Sequence, residues 1–170
     1  ARFEKVSREQ FIKDALCLIK DSEMPVFSEK ELNDMYDAIQ LPTRKTKGAA
    51  GHDFIAPFSF QRVPGETITI PSGIRCYIDD GYSLDLYPRS GHGFVYRIRL
   101  NNTVGIIDED FYYGEDEGHI KVKLSNEGNK IFTCKKGTAF CQGIFHEYFI
   151  AEGNEDPEAT RNGGVGSTGM

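Results

Sequence analysis

His119-Ile120-Lys121-Val122-Lys123-Leu124 is the stretch that decides the fold. Ile120, Val122 and Leu124 alternate with His119, Lys121 and Lys123, the period of a strand with one face buried and one face wet. Working outward, similar short runs recur at residues 67–70, 75–78, 83–87, 130–134 and 142–149. Glycine, proline, asparagine and aspartate punctuate them about every ten residues. Many short strands separated by turn residues predict a mainly β sandwich, jelly roll or barrel.

The first third reads differently. After a short strand at residues 2–6 comes Ser7-x-x-Gln10, a capping-box pattern. Phe11, Ile12, Ala15, Leu16 and Ile19 follow at helical spacing. A second box, Ser28-x-x-Glu31, has Phe27 and Leu32 at the staple positions, and Leu32, Tyr36 and Ile39 continue one face. Two short helices are therefore expected between residues 7 and 39. Their apolar faces pack on the main body or serve a protein partner.

At 170 residues the chain is long enough for one domain with a substantial core. A formal net charge of −6 argues against a nucleic-acid duplex or an anionic membrane as partner. No run of about 18 apolar residues and no secretory segment stands out. The expected setting is cytoplasmic. Cys17, Cys76, Cys134 and Cys141 lack C-x-x-C spacing and read as reduced thiols. The four histidines form no metal-ligand pattern.

Five segments invite chemistry, each weak alone. Gly48-Ala49-Ala50-Gly51-His52-Asp53-Phe54 reads as a tight structural turn. Pro88-Arg89-Ser90-Gly91 sets a guanidinium, a hydroxyl and a permissive glycine side by side, a sensible cradle for phosphate. Asn102-Thr103-Val104-Gly105-Ile106-Ile107-Asp108-Glu109-Asp110-Phe111-Tyr112 runs from an apolar strand into acids and aromatics. It suits either an ordinary hairpin or one that holds a flat ring beside a water-activating carboxylate. Gly137-Thr138-Ala139-Phe140-Cys141-Gln142-Gly143 turns into a strand with one amide donor. The tail Arg161-Asn162-Gly163-Gly164-Val165-Gly166-Ser167-Thr168-Gly169-Met170 is glycine-rich, with hydroxyls and an arginine that suit an anion. Polar, acidic residues 151–162 read as its tether. The division expected is a β domain at 1–150 and a flexible arm at 151–170.

Together and in this order, the five segments resemble the motifs of the homotrimeric dUTPase family, over residues 41–170. The helical stretch 7–39 lies outside that pattern, as an insertion after the first strand. The resemblance implies a distorted jelly roll, three chains with shared sites, and hydrolysis of dUTP to dUMP and pyrophosphate. By the same resemblance, Arg89, Ser90, Gly91 and Gln142 contact the phosphates. Asn102 and Gly105 belong to the hairpin that reads uracil, and Asp108 activates the attacking water. Asp53 supports the site near the phosphates. Arg161, Gly164, Val165, Gly166, Ser167 and Thr168 belong to an arm that closes over the triphosphate. Magnesium is implied as cofactor, held through substrate phosphates and water rather than by a protein cage.

Two departures from the family pattern matter. Phe111 stands where the family usually has tyrosine under the deoxyribose. It keeps the ring, so exclusion of UTP should survive, although Tyr112 next door leaves the alignment open by one residue. The hairpin also carries extra residues at 113–117. Val165 replaces the phenylalanine that covers uracil. Stacking on a base is worth about 1–3 kcal/mol, so turnover is expected to fall by about tenfold or more. Two other readings stay open: dCTP deaminase of the same fold, and a nucleotide-responsive regulator that docks on a repressor-like partner through residues 7–39. The uracil-type hairpin and the set from Arg89 to the tail favour dUTP hydrolysis.

Overall fold

The computed structural model describes residues 1–153. Eleven strands and three helices are found there. In chain order they are β1 (Arg2–Lys5), α1 (Arg8–Lys20), α2 (Glu29–Asp37), β2 (His52–Ile55), β3 (Phe60–Arg62), β4 (Thr67–Pro71), β5 (Ile74–Tyr77), β6 (Tyr82–Pro88), α3 (Ser90–Tyr96), β7 (Ile98–Leu100), β8 (Gly105–Ile107), β9 (Lys121–Asn126), β10 (Phe132–Cys134) and β11 (Ala139–Glu147). A 3-10 turn, Glu109–Tyr113, separates β8 from β9.

All pairings are antiparallel. The largest sheet has the order β2-β11-β6-β8 and the next β4-β9-β7, with β1-β5 and β10-β3 as two-stranded pieces. The inner faces share one core that includes Phe54, Ile68, Ile70, Leu84, Leu86, Val122, Leu124 and Phe140. A fully buried side chain of this size contributes about 1.5–3 kcal/mol. The mainly β expectation holds, and strand boundaries move by one to three residues.

The alternation of residues 119–124 is realised as β9 for Lys121 onward: Ile120, Val122 and Leu124 are buried, and Lys121 and Lys123 are partly exposed. His119 breaks the pattern. Alternation put it on the wet face, yet it is 0% exposed. Helix α1 covers that position, and both ring nitrogens are satisfied. Gly73 N–H donates to Nε2 at 2.9 Å, and Nδ1 lies 2.6 Å from the Asp14 carboxylate.

Both helices of the insertion face the body. Phe11 and Ala15 of α1 and Leu32 and Met35 of α2 belong to the main core. Leu16, assigned to the same face by spacing, is instead half exposed. The second capping box forms in full at Ser28 and Glu31, and the Phe27 ring packs on Phe58 at 5.1 Å. The first forms by half. Ser7 accepts from Gln10 N–H, but the return bond is absent, and Ser7 N–H donates to Glu117 instead. The four cysteines are free: Cys76, Cys134 and Cys141 are buried and Cys17 is exposed. Among the described residues no helix is long and apolar enough to cross a membrane.

Candidate active site

The candidate residues gather at two ends of the large sheet. At one end β11 lies between β2 and β6, with Gln142 opposite both Asp53 and Tyr87. That register fixes Asp53 and Gln142 as neighbours and brings the residue after Pro88 beside them. Arg89 caps α3 in an extended conformation, and its Nε sits 3.3 Å from Asp53 Oδ1. Gln142 Nε2 donates to Pro88 O at 3.3 Å. Ser90 and Gly91 open α3, where a helix's first amides lack intrahelical partners. Gly51 leaves room for the Gln142 amide: a Cβ on it would lie 2.5 Å from Gln142 Oε1 and push that side chain aside.

Asp53 is almost fully buried, with its Oδ2 atom lacking a partner. A buried, half-satisfied carboxylate is costly unless a donor reaches it. His92, in the first turn of α3, also has a buried Nδ1 near the Phe140 backbone. Burial lowers its pKa first; the Phe140 backbone opposes this and Arg89 adds to it. Sequence reasoning missed His92, since no pattern distinguishes it from a surface histidine.

The turn between β7 and β8 crosses from the smaller sheet to the large one, and β8 then runs toward the start of β6 and into the 3-10 turn. Asn102 lies in an exposed tight turn, closed by Thr103 N–H to Leu100 O at 2.9 Å, with Thr103 at φ 64°. Gly105 faces Leu86 across the strand pair, and a Cβ there would stand 3.3 Å from the Leu86 Cβ. Asp108 caps the 3-10 turn, and Phe111 N–H bonds to its carbonyl at 3.2 Å. Glu109 beside it has a raised pKa, chiefly through burial and then through Asp80, Asp110 and Asp108.

Phe111 and Tyr112 are now told apart. Phe111 is buried and lines a cavity of about 620 Å³ with Asn102, Gly105 and Ile107. Tyr112 turns away: its hydroxyl donates to Glu4 at 2.8 Å, and the Arg75 guanidinium lies over its ring at 4.2 Å. The volume falls in the range of about 300–1,000 Å³ usual for small-molecule sites. Sequence reasoning also missed the wall opposite, where Asp14, Cys17 and Leu18 of α1 join Lys121 and Lys123 of β9 in the lining.

A single chain does not join these ends. Ile107 pairs with Leu84 near the start of β6, whereas Arg89 follows its last residue. At about 3.3 Å per residue, Asp108 and Arg89 are therefore roughly 15–20 Å apart. Arg161, Gly164, Val165, Gly166, Ser167 and Thr168 lie outside the described residues. Among the described residues no cluster of three His, Cys, Asp or Glu side chains is arranged to hold a metal.

Comparison with known proteins gives the family. The dUTPase family model matches residues 37–169. The deoxyuridine 5'-triphosphate nucleotidohydrolase of Lactococcus lactis subsp. lactis is 37% identical over 133 residues, covering 77% of this chain and 89% of its own. That of Neisseria meningitidis serogroup A is 36% identical over 154 residues, covering 86% and 99%. The crystal structure of dUTPase from Streptococcus mutans superposes with a TM-score of 0.64 at 25% identity, over 90% of this chain and all of that one.

Proposed function

The chain belongs to the dUTPase family, and from that premise we propose that it hydrolyses dUTP to dUMP and pyrophosphate in a homotrimer with shared sites. The observation that carries the reading is the division of the sheet. Phosphate-type groups (Asp53, Arg89, Gln142) lie at the end of β6, whereas Asp108, beyond the Ile107–Leu84 pair, lies toward its start, too far away to serve them within one chain. One chain's Asp108 then serves another chain's phosphate groups. Exposed Phe94, Val95 and Tyr113 supply apolar surface for such packing.

In this reading the hairpin backbone around Asn102 and Gly105 pairs with the uracil edge, and the close Gly105–Leu86 approach sets the strand pair that shapes the pocket. Phe111 packs under the deoxyribose and leaves no room for a 2′-hydroxyl. Arg89, Ser90, Gly91 and Gln142 bind the phosphates, with Asp53 aiming the guanidinium. Asp108 orients a water and takes its proton as the water attacks the α-phosphorus in line. Pyrophosphate leaves. Most of the rate comes from positioning and charge neutralisation. Arg161, Gly164, Val165, Gly166, Ser167 and Thr168 close over the triphosphate, with valine at 165 giving a weaker cover than phenylalanine.

Magnesium fits the phosphate end. The unpartnered Asp53 Oδ2 is a buried acceptor suited to a metal-bound water. The substrate's phosphates would hold the ion, with Asp53 reaching it through a bound water, and the ion would supply charge neutralisation on the leaving pyrophosphate. The relatives carry dUTP nucleotidohydrolase names, and neither the deaminase nor the regulator reading is favoured. The test is incubation with magnesium and, separately, dUTP, dTTP, dCTP and UTP, with pyrophosphate and ammonia measured. Pyrophosphate from dUTP alone is expected. Ammonia from dCTP, or no turnover of dUTP, overturns the reading.

A further inference from the structure

We propose that the helical insertion is part of the nucleoside site: α1 forms a wall of the Phe111 cavity and, through residues 112–119, sets the position of the Phe111 ring. The inference rests on reading the Asn102–Gly105 turn and Phe111 as the nucleoside-binding element. Two independent observations support it. The first is the cavity, in which Asp14, Cys17 and Leu18 of α1 share a lining with Gly105, Ile107 and Phe111.

The second is how α1 is fastened. Glu117 accepts from Ser7 N–H at 2.7 Å and from the Ser7 hydroxyl at 2.6 Å. Gly73 N–H occupies His119 Nε2, which leaves the proton on Nδ1, donated to Asp14 at 2.6 Å. Lys121 Nζ lies 2.8 Å from Asp116 and 3.6 Å from Asp14. The segment from 112 to 119 is thus tied to α1 at the helix start and again two turns along. It has no slack against the ring. Glu117 and Gly118 both have positive φ, and a Cβ on Gly118 would come within 2.7 Å of the Phe111 carbonyl oxygen. The helical stretch 7–39 and the 113–117 segment are therefore bonded to each other behind one cavity. Ser7, Asp14, Glu117 and His119 are positioning residues, acting through Phe111.

Cys17 gives a direct readout, because the other three thiols are buried. Alkylation of Cys17 should slow severalfold in saturating dUMP, and neither pyrophosphate nor an equal concentration of UMP should protect it. Glu117→Ala should raise KM for dUTP by about 5–10-fold with kcat nearly kept, and should narrow the dUTP-over-UTP preference. Glu117→Gln, which keeps a bond to Ser7, should restore most of both. Unchanged labelling in an enzyme that dUMP inhibits overturns the inference, as does a Glu117→Ala variant with lower melting temperature but intact KM and preference. A wild-type chain that fails to hydrolyse dUTP overturns the functional reading itself, and the inference with it.

Discussion

Removing the Arg89 side chain should damage stability and activity separately, and the two can be pulled apart. Arg89 Nε stands 3.3 Å from Asp53 Oδ1, with the Asp53 side chain 7% exposed and that of Arg89 40% exposed. At that distance two unit charges attract by about 5 kcal/mol at an effective dielectric of 20 and about 1 kcal/mol in bulk water. The half-wet guanidinium and the cost of desolvating the carboxylate bring the expected loss to about 2 kcal/mol. Arg89→Ala leaves Asp53 buried with neither oxygen paired, so the penalty is that of an orphaned charge. Adding Asp53→Asn removes the charge and should recover about 1 kcal/mol or more. Neither variant should work. Loss of the phosphate contact alone should lower kcat on the order of 10²-fold or more. Urea midpoints at fixed protein concentration, which hold assembly constant, and steady-state turnover measure both. A double variant no more stable than Arg89→Ala would refute the argument that Arg89 neutralises Asp53.

Four further outcomes are expected. Phe111→Tyr should keep the preference for dUTP over UTP, while Phe111→Ala should lose it and destabilise the fold by about 3–5 kcal/mol; paired kcat/KM values decide. Val165→Phe should raise turnover by about tenfold through stacking on the base, and an unchanged rate removes residue 165 as a limit. Gly118→Ala must place a Cβ against the Phe111 carbonyl at positive φ, costing about 1–3 kcal/mol by thermal melting. Glu4 is held at about 2, below its ordinary 4.5, first by Arg2 and then by Tyr112. Its stabilisation is whole above 4.5 and drains away as the pH falls through 2, so Glu4→Gln should flatten the acid-unfolding slope in that window.

How much the sequence revealed depended on whether the signal was local. Ile120, Val122 and Leu124 were legible because a half-buried strand writes its burial into a period of two. His119 was not, because the helix that covers it lies more than a hundred residues away in sequence. The Ser28 box was legible in full, since both partners sit within one turn. Ser7 looked the same and instead spent its amide on Glu117. Helix α3 escaped notice because Ser90-Gly91-His92-Gly93 has poor helix propensity; in the structure His92 and Tyr96 rest against the Phe132 ring. The grouping of Asp53, Arg89 and Gln142 came from motif order alone; the register that makes them neighbours is long-range. Nothing local pointed to α1 as a cavity wall. Periodicity says which face is buried, and is silent about what buries it.

The placement of β11 dictates an order of events during synthesis. It lies between β2 and β6, and it is the last of the described strands to leave the ribosome. Until residues 139–147 emerge, β2 has no partner in the large sheet and β6 keeps one open edge. Unpaired strand edges template the wrong partners. A nascent chain stalled before Ala139 would therefore hold its helices and its smaller sheet ready while its largest sheet waits for one strand. That interval is when a chaperone would do most for this protein.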